Sequence, residues 1–531
     1  GTVSAGGLKS KEGEPAGMRE QVGFTLDQWV VQIQSNDERA VLQSMTLLLQ
    51  QGWLKGDKTT DDFFRIAVEI CVERSVKAMA DPSAPAAMAN AQVDSLSKLV
   101  LVLVRYYDEW RRNTTMSKAG AVNKVLAAVV RVMHVHQAER KHAFNQQPFH
   151  RLLTRLLQDL SDPIGEPLVF SLADVLHAVQ PRLVPGFSFS WLELASNRNL
   201  MPKLLQAKDK KGWVAFHRVL MGLFRYLEPH LRNAEMTEPI KLLYKGTLRV
   251  LLVLLHDFPE FLGEFHASFC DAIPPPCIQL RNLILSAFPR TMLLPDPFTP
   301  QLKVDLLPEI NTPPPLLSTA FQALAALPSL RGDLDNHLRG RGREGFLAEL
   351  PASLLLTSTN EMVQCGTRYN VPLMNALVLY VASSPAVTPA APGALPPASG
   401  PGLEMFVKLS GELDSEGRYL LLNGIANQLR YPNSHTHYFS CTLLNLFQAA
   451  GEKDMIREQI TRVLIERLIV NKPHPWGLLV TFIELIKNPV YDIWRHDFVR
   501  SCTEIEQLFQ SVARFCLPQH GGGGGGGAAA T

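Results

Sequence analysis

Several features that would mark an enzyme or a membrane protein are missing from this sequence. Cysteine is sparse and unpaired: Cys71, Cys270, Cys277, Cys365, Cys441, Cys502 and Cys516 make seven. The number is odd, the spacing is wide, and no two are separated by two residues, as zinc and redox motifs require. They read as reduced thiols of a cytosolic or nuclear protein. Long apolar runs are absent too. The longest aliphatic stretches, Leu99–Val104 and Val250–Leu255, are about a third of the roughly 18 residues that cross a bilayer. The first twenty residues have no apolar stretch and so match neither a signal peptide nor an amphipathic presequence. Starting at Gly1 rather than Met, the chain is expected to be a piece of a longer protein. Neither sign of charge dominates: 52 basic residues face 50 acidic ones, a net charge of +2. This balance opposes a surface built mainly to neutralise phosphates, while leaving local patches open.

Catalytic signatures are missing as well. There is no GxxxxGK(S/T), no GxGxxG after a strand, no GxSxG elbow, no HExxH and no Cys–His nucleophile pattern. Asp61-Asp62 is the adjacent carboxylate pair of note. It suits the first turn of a helix, where the dipole favours negative charge. No cofactor is implied. Strand signals are poor: β-branched residues seldom alternate with polar ones, and Asn423-Gly424 sits inside a helical pattern.

What is present is helical periodicity from about Phe24 to Ala513, in a chain of 531 residues of which 46% are hydrophobic. In Asp454–Val470, Ile456, Ile460, Val463, Leu464 and Leu468 share one face, with Arg457, Glu458, Arg462 and Glu466 off it. Asn471 and Pro473 stop that helix. Ser35 and Glu38 form a capping box, Gly52 closes the run after it, and Thr59 with Asp62 opens a helix ended by Asp81-Pro82. Val93, Leu96, Val100 and Leu103 stripe the next one. Further helices are predicted near 119–138, 148–160, 167–179, 211–228, 236–257, 275–287, 371–382, 415–430, 437–449, 475–487 and 504–515. Pairs recur at roughly 40–47 residues, the HEAT period. The fold class is therefore all-α, with HEAT-like helical-hairpin repeats forming an elongated array in two parts. Stacked pairs bury a continuous core and leave an extended face suited to partners.

Four stretches break the pattern. Residues 1–20 read as a disordered N-terminal segment. Residues 289–315, with Pro289, Pro295, Pro297, Pro300, Pro308 and Pro313-Pro314-Pro315, read as a proline-rich, extended connector. Residues 384–403 read as a low-complexity mobile loop, and 518–531 as a flexible tail. The connector separates an N-terminal array, 21–288, from a C-terminal array, 316–517.

Three features carry candidate chemistry. His435-x-His437 has the wrong spacing for a helix-borne metal pair and no further ligand nearby. It reads instead as a capped turn after Pro432, with Asn433 and Ser434 starting a helix. The run Leu338–Arg343 alternates Arg339, Arg341 and Arg343 with glycine. It reads as a solvated hinge, and RNA contact is the competing reading. The third feature is an aromatic-rich C-terminal region that includes Arg418, Tyr419, Arg430, Tyr431, Tyr438, Trp476, Tyr491 and Trp494. These are the residue types that anchor interfaces, with core roles for Tyr419 and Trp476 as the alternative.

Four ordered, co-linear strings then carry a resemblance. They are 413–447 (LDSEGRYLLLNGIANQLRYPNSHTHYFSCTLLNLF), 458–499 (EQITRVLIERLIVNKPHPWGLLVTFIELIKNPVYDIWRHDFV), 269–310 and 368–381 (RYNVPLMNALVLYV). The chain resembles the C-terminal NOT superfamily homology domain of the large scaffold subunit of the CCR–NOT deadenylase complex. The likeness is strong over about 260–515, whereas 21–260 share the helical pattern more than quotable motifs. It implies an all-helical, HEAT-like scaffold without catalytic activity. Such a scaffold docks the heterodimer of the two NOT-box subunits and recruits RNA-associated repressors, in support of mRNA deadenylation and translational repression. It implies no direct nuclease contact, no membrane, and only indirect RNA contact. The expected location is cytoplasmic, including mRNA-decay granules, and nuclear. The insertion 384–403 and the glycine tail depart from the family. Within the matched strings, the expected partner-binding residues are Arg418, Tyr419, Asn427, Arg430, Tyr431, Asn433, His435, His437, Tyr438 and Trp476. The resemblance itself does not choose among side chains. A direct RNA-binding helical repeat module is the alternative. A HEAT transport adaptor has only fold-level analogy behind it.

Overall fold

The computed structural model describes residues 17–34, 38–54, 56–83, 85–110, 117–232, 236–299, 302–316, 318–384, 400–451, 453–470, 473–501 and 503–516. Among them helices dominate and no strand forms; Leu355 and Tyr369 make an isolated β-bridge. The Ser35 cap, Cys502 and the 518–531 tail lie outside the described residues. By internal packing the chain divides into two compact units, residues 1–230 with 235–250, and residues 231–234 with 251–531.

In the first unit, helix Gln147–Ile164 illustrates how sequence becomes packing. Phe149, Leu152, Leu153, Leu156, Leu157 and Leu160 recur at helical spacing, and all are buried. Burying six such side chains contributes on the order of 10 kcal/mol before entropy is counted. Gly165, at φ 73°, ends the helix, its N–H donating to Ser161 O at 3.0 Å. Helix pairs joined by short turns stack in register. Their first members, Asp57–Ala80, Lys118–Arg140 and Glu166–Ala178, pack on one another, and so do the second members, Ala86–Arg105, Gln147–Ile164 and Ser188–Ala195. Polar rungs tie each row laterally. In the first row Lys124 Nζ reaches Asp61 at 2.6 Å and Ser171 Oγ donates to Asn123 at 2.7 Å, and Arg218 of the later helix Lys211–Arg232 reaches Asp174 at 2.7 Å. In the second row Arg151 meets Asp94 at 2.7 Å. At the surface each rung is worth under about 1 kcal/mol, so the rungs set register more than stability. Ala87–Arg105 has the length and mean hydropathy of a membrane span, but half of it is buried between neighbouring helices.

Of the segment 1–20 expected to be disordered, residues 1–16 lie outside the described residues, and helix Met18–Gln34 begins within it. Arg19 is buried there and bonds Glu69 at 2.7 Å. A salt bridge across 50 residues cannot be read from local composition.

The second unit repeats the two-row plan. One row is Val371–Ser383, Ser415–Ala426 and Asp454–Val470, starting 44 and then 39 residues apart. The other is Pro401–Glu412, Ser434–Ala449 and Trp476–Lys487. Helices Pro259–Ala272 and Ile278–Leu285 pack against Val371–Ser383 and Asp454–Val470. This moves the division of the chain. The compact units part near residue 250, not at the proline-rich stretch, and residues 251–288 join the C-terminal repeats rather than the N-terminal array. The stretch 289–315 is not a spacer. Around two short 3-10 turns, Val304–Leu306 and Pro308–Asn311, it lies as a strap on the second unit, with Ile310 buried. Prolines do interrupt helices there, but they do not interrupt the core. Of the expected 384–403 loop, 385–399 fall outside the described residues, and helix Pro401–Glu412 begins at its end.

Candidate docking surfaces and the buried knot beneath them

Every residue from Leu420 to Phe439 is buried. Pro432 breaks the chain between helices, and the Asn433 side chain then accepts from Thr436 N at 3.0 Å, capping Ser434–Ala449 as its sequence predicts. The Thr436 hydroxyl accepts from Arg430 N at 3.1 Å and lies 2.8 Å from Gln428 O. Gly477 N donates to Arg430 O at 2.6 Å. A Cβ on Gly477 would sit 2.3 Å from Thr436 Cγ2 and 3.0 Å from two backbone atoms of Leu429 and Arg430, so only glycine fits that crossing.

Three buried arginines hold this knot without a carboxylate bond. Arg430 Nη1 lies 3.0 Å from His266 Nδ1, and Nη2 donates to Ala287 O at 3.3 Å. Arg467 Nη2 donates to the side-chain oxygens of Asn423 at 3.0 Å and Asn427 at 2.7 Å. Arg281 Nη1 donates at 2.7 Å to Cys270 O and to Ile273 O, satisfying carbonyls at the end of helix Pro259–Ala272, where the dipole welcomes a cation. Burial pulls Arg467 down to about 10. Burial first, and the Arg430 charge second, push His266 well below its ordinary value and His435 down to about 4. Both imidazoles are therefore neutral at physiological pH.

Nine of the ten expected partner-binding residues are buried in this interior. Arg418 donates to Ser410 O at 2.6 Å, to Leu413 O at 2.7 Å and to Gln459 at 2.9 Å. Asn427 receives Arg467, Asn433 is a helix cap, and His435 sits neutral in the knot. The Arg430 guanidinium lies over the Tyr431 ring at 5.1 Å. His437 Nε2 donates to Asp305 of the strap at 2.8 Å. Tyr438 packs edge-on to Phe439, and Trp476 Nε1 donates to Pro295 O of the strap at 2.8 Å. Tyr419 alone is partly exposed, its hydroxyl donating to Glu466 at 2.9 Å. The other nine are buried in the chain taken by itself. Long amphipathic side chains anchor cores and interfaces by the same chemistry, and residue type alone does not separate the two.

The Arg-Gly run is a turn between helices Pro328–Leu338 and Phe346–Ser353, with Gly340 and Gly345 at positive φ. Arg343 is held by Asp333 at 3.1 Å and by both oxygens of Glu349, while Arg339 and Arg341 are exposed. The turn separates two open grooves of about 440 and 460 Å³, the second lined by Leu327, Leu330, Phe346 and Leu350. Among the described residues no cluster of His, Cys, Asp or Glu suits a metal ion. Exposed apolar side chains that residue type did not flag are Leu293, 90% exposed, and Leu306, 71% exposed, on the strap, with Val490 nearby in sequence to the last repeat.

Two rows of stacked helix pairs in each unit, with no metal-holding cluster among the described residues, are the setting for comparison with known proteins. The family model for the CCR4-Not complex component Not1 matches residues 152–513. The chain belongs to the Not1 family. Among Not1-family relatives, the CCR4-NOT transcription complex subunit let-711 of Caenorhabditis elegans is 41% identical over 92% of this chain. The general negative regulator of transcription subunit 1 of Schizosaccharomyces pombe is 35% identical over 88%. The chain spans only 19% and 22% of those proteins. The NOT1 superfamily homology domain of Chaetomium thermophilum superposes with a TM-score of 0.85, at 28% identity, over 94% of this chain and 99% of that one. A Not1 C-terminal domain solved in complex with Not4 gives 0.76, at 25% identity, over 92% and 100%.

Proposed function

We propose that this Not1-family domain is a non-catalytic docking platform of the CCR4-NOT complex. It holds the heterodimer of the two NOT-box subunits and gives RNA-associated repressors a place to attach, in support of mRNA deadenylation and translational repression in cytoplasm, decay granules and nucleus. The observation that carries the reading is the likeness, over nearly the whole chain, to a Not1 C-terminal domain solved with a protein partner, Not4. The stacked rows support it physically, because they offer long faces and open grooves instead of a closed pocket. The held charge of Arg343 supports indirect rather than direct RNA contact at the Arg-Gly turn. The test is co-expression with the two NOT-box subunits, followed by affinity capture and incubation with labelled poly(A). The expected result is a stoichiometric complex whose pure scaffold leaves the RNA at full length. Failure to capture either subunit, or shortening that a point substitution in this chain abolishes, overturns the proposal.

A further inference from the structure

The near-zero net charge conceals a segregation. Residues 17–110 carry 9 Lys and Arg against 13 Asp and Glu, residues 118–230 carry 15 against 8, and residues 251–516 carry 20 against 25. The basic block lies in the first unit, and its regular presentation is on helix Lys211–Arg232. Trp213, Phe216, Leu220, Leu223, Phe224 and Leu227 turn inward there. The opposite face carries Lys211, Val214, Arg218, Met221 and Arg225, spaced i, i+3, i+7, i+10 and i+14 along one line. Val214 is 58% exposed and Met221 partly so. Lys211 and Arg225 have no carboxylate partner among the described residues. Arg218 has only the solvent-screened Asp174 at 2.7 Å.

We infer that this stripe docks an acidic amphipathic helix of a partner protein. Cations alternate with apolar side chains over about 21 Å, roughly four helical turns, which is the length and spacing at which a helix presents its own i, i+3, i+4 and i+7 positions. Glutamates of the incoming helix meet Lys211, Arg218 and Arg225, and its leucines cover Val214 and Met221. The charge excess sets the sign of the partner. The apolar members favour peptide over RNA, since phosphates gain nothing from Val214 and the stripe holds no aromatic ring for a base to stack on. The inference concerns the first unit and stands whether or not the NOT-box subunits dock as proposed.

The test uses the full chain and a fluorescent 18-residue model helix with glutamate and leucine on one face, read by anisotropy at about 50 and 200 mM salt. Expected is saturable binding that weakens several-fold at the higher salt. It should also weaken about ten-fold or more with Val214→Asp and with Arg225→Glu, while Arg225→Lys largely retains it and circular dichroism stays unchanged in all three. Absence of binding, or binding indifferent to both substitutions, refutes the inference. So does a single-stranded RNA that binds in the peptide's place and is lost with Arg225→Glu but untouched by Val214→Asp. If Val214→Asp alters the dichroism, Val214→Ser, which removes the apolar surface without adding charge, decides the matter by the same loss of peptide affinity.

Discussion

Gly477→Ala tests the knot most directly. The new methyl would press on Thr436 Cγ2 at 2.3 Å and on the Leu429 and Arg430 backbone at 3.0 Å. None of these can yield freely, because Thr436 is bonded in the turn and Arg430 O accepts the Gly477 N–H at 2.6 Å. Overpacking of this kind costs about 1–3 kcal/mol, and stretching the 2.6 Å bond adds about 1 kcal/mol. Helix propensity returns under about 1 kcal/mol, leaving a net loss of about 3 kcal/mol. The unfolding entropy of roughly 270 residues is about 0.6 kcal/mol per degree, so the calorimetric transition of the second unit should fall by about 5 °C. Thr436→Ser keeps the hydroxyl bonds and removes the offending methyl. Alone it costs about 1 kcal/mol. Combined with Gly477→Ala it should recover at least about 1 kcal/mol relative to additivity. A transition unmoved within about 1 °C, or strictly additive substitutions, would refute the assigned close packing.

Trp476→Phe removes the bond to Pro295 O and should cost about 1 kcal/mol, with faster hydrogen exchange confined to the strap near residues 292–299. His435 binds its proton only near pH 4 when folded, against about 6.5 unfolded. Its contribution is thus fully present above about pH 6.5 and is lost as pH falls toward 4, by up to about 3 kcal/mol. Denaturant melts across that window should show the decline, and His435→Gln should reduce it to the part that His266 contributes; an unchanged slope would count against a neutral His435. Burial pushes the Cys71 thiol up to about 12, whereas Cys365 is exposed. Iodoacetamide at pH 8 should therefore mark Cys365 and spare Cys71 in the native protein, as peptide mass spectrometry would report.

Periodicity made the repeats legible. The predicted 148–160, 371–382 and 475–487 became Gln147–Ile164, Val371–Ser383 and Trp476–Lys487, because each has a wide apolar face and a proline or glycine at its ends. Short helices escaped. Ser188–Ala195 and Phe346–Ser353 are too brief to show a period, and Pro259–Ala272 hides its face in a run of phenylalanines. The surroundings of the candidate site residues were illegible for a different reason. Arg430 and Trp476 were selected by side-chain type, but their partners, His266 and Ala287 for the first and Pro295 for the second, lie far away in sequence, and spacing carries no record of such pairings. Asn433 was legible because a helix cap is local. The basic stripe was invisible to a chain-wide charge total because two acidic stretches cancel it.

The bond from Asn282 to Arg467 joins positions 185 apart, and that from Trp476 to Pro295 joins positions 181 apart. A ribosome adding roughly 5–20 residues per second needs about ten to forty seconds to cross such an interval. During that delay the phenylalanines of Pro259–Ala272, buried in the finished unit, have been synthesised but lack their final neighbours. The nascent second unit therefore leaves these rings without their final cover until its last helical pair emerges.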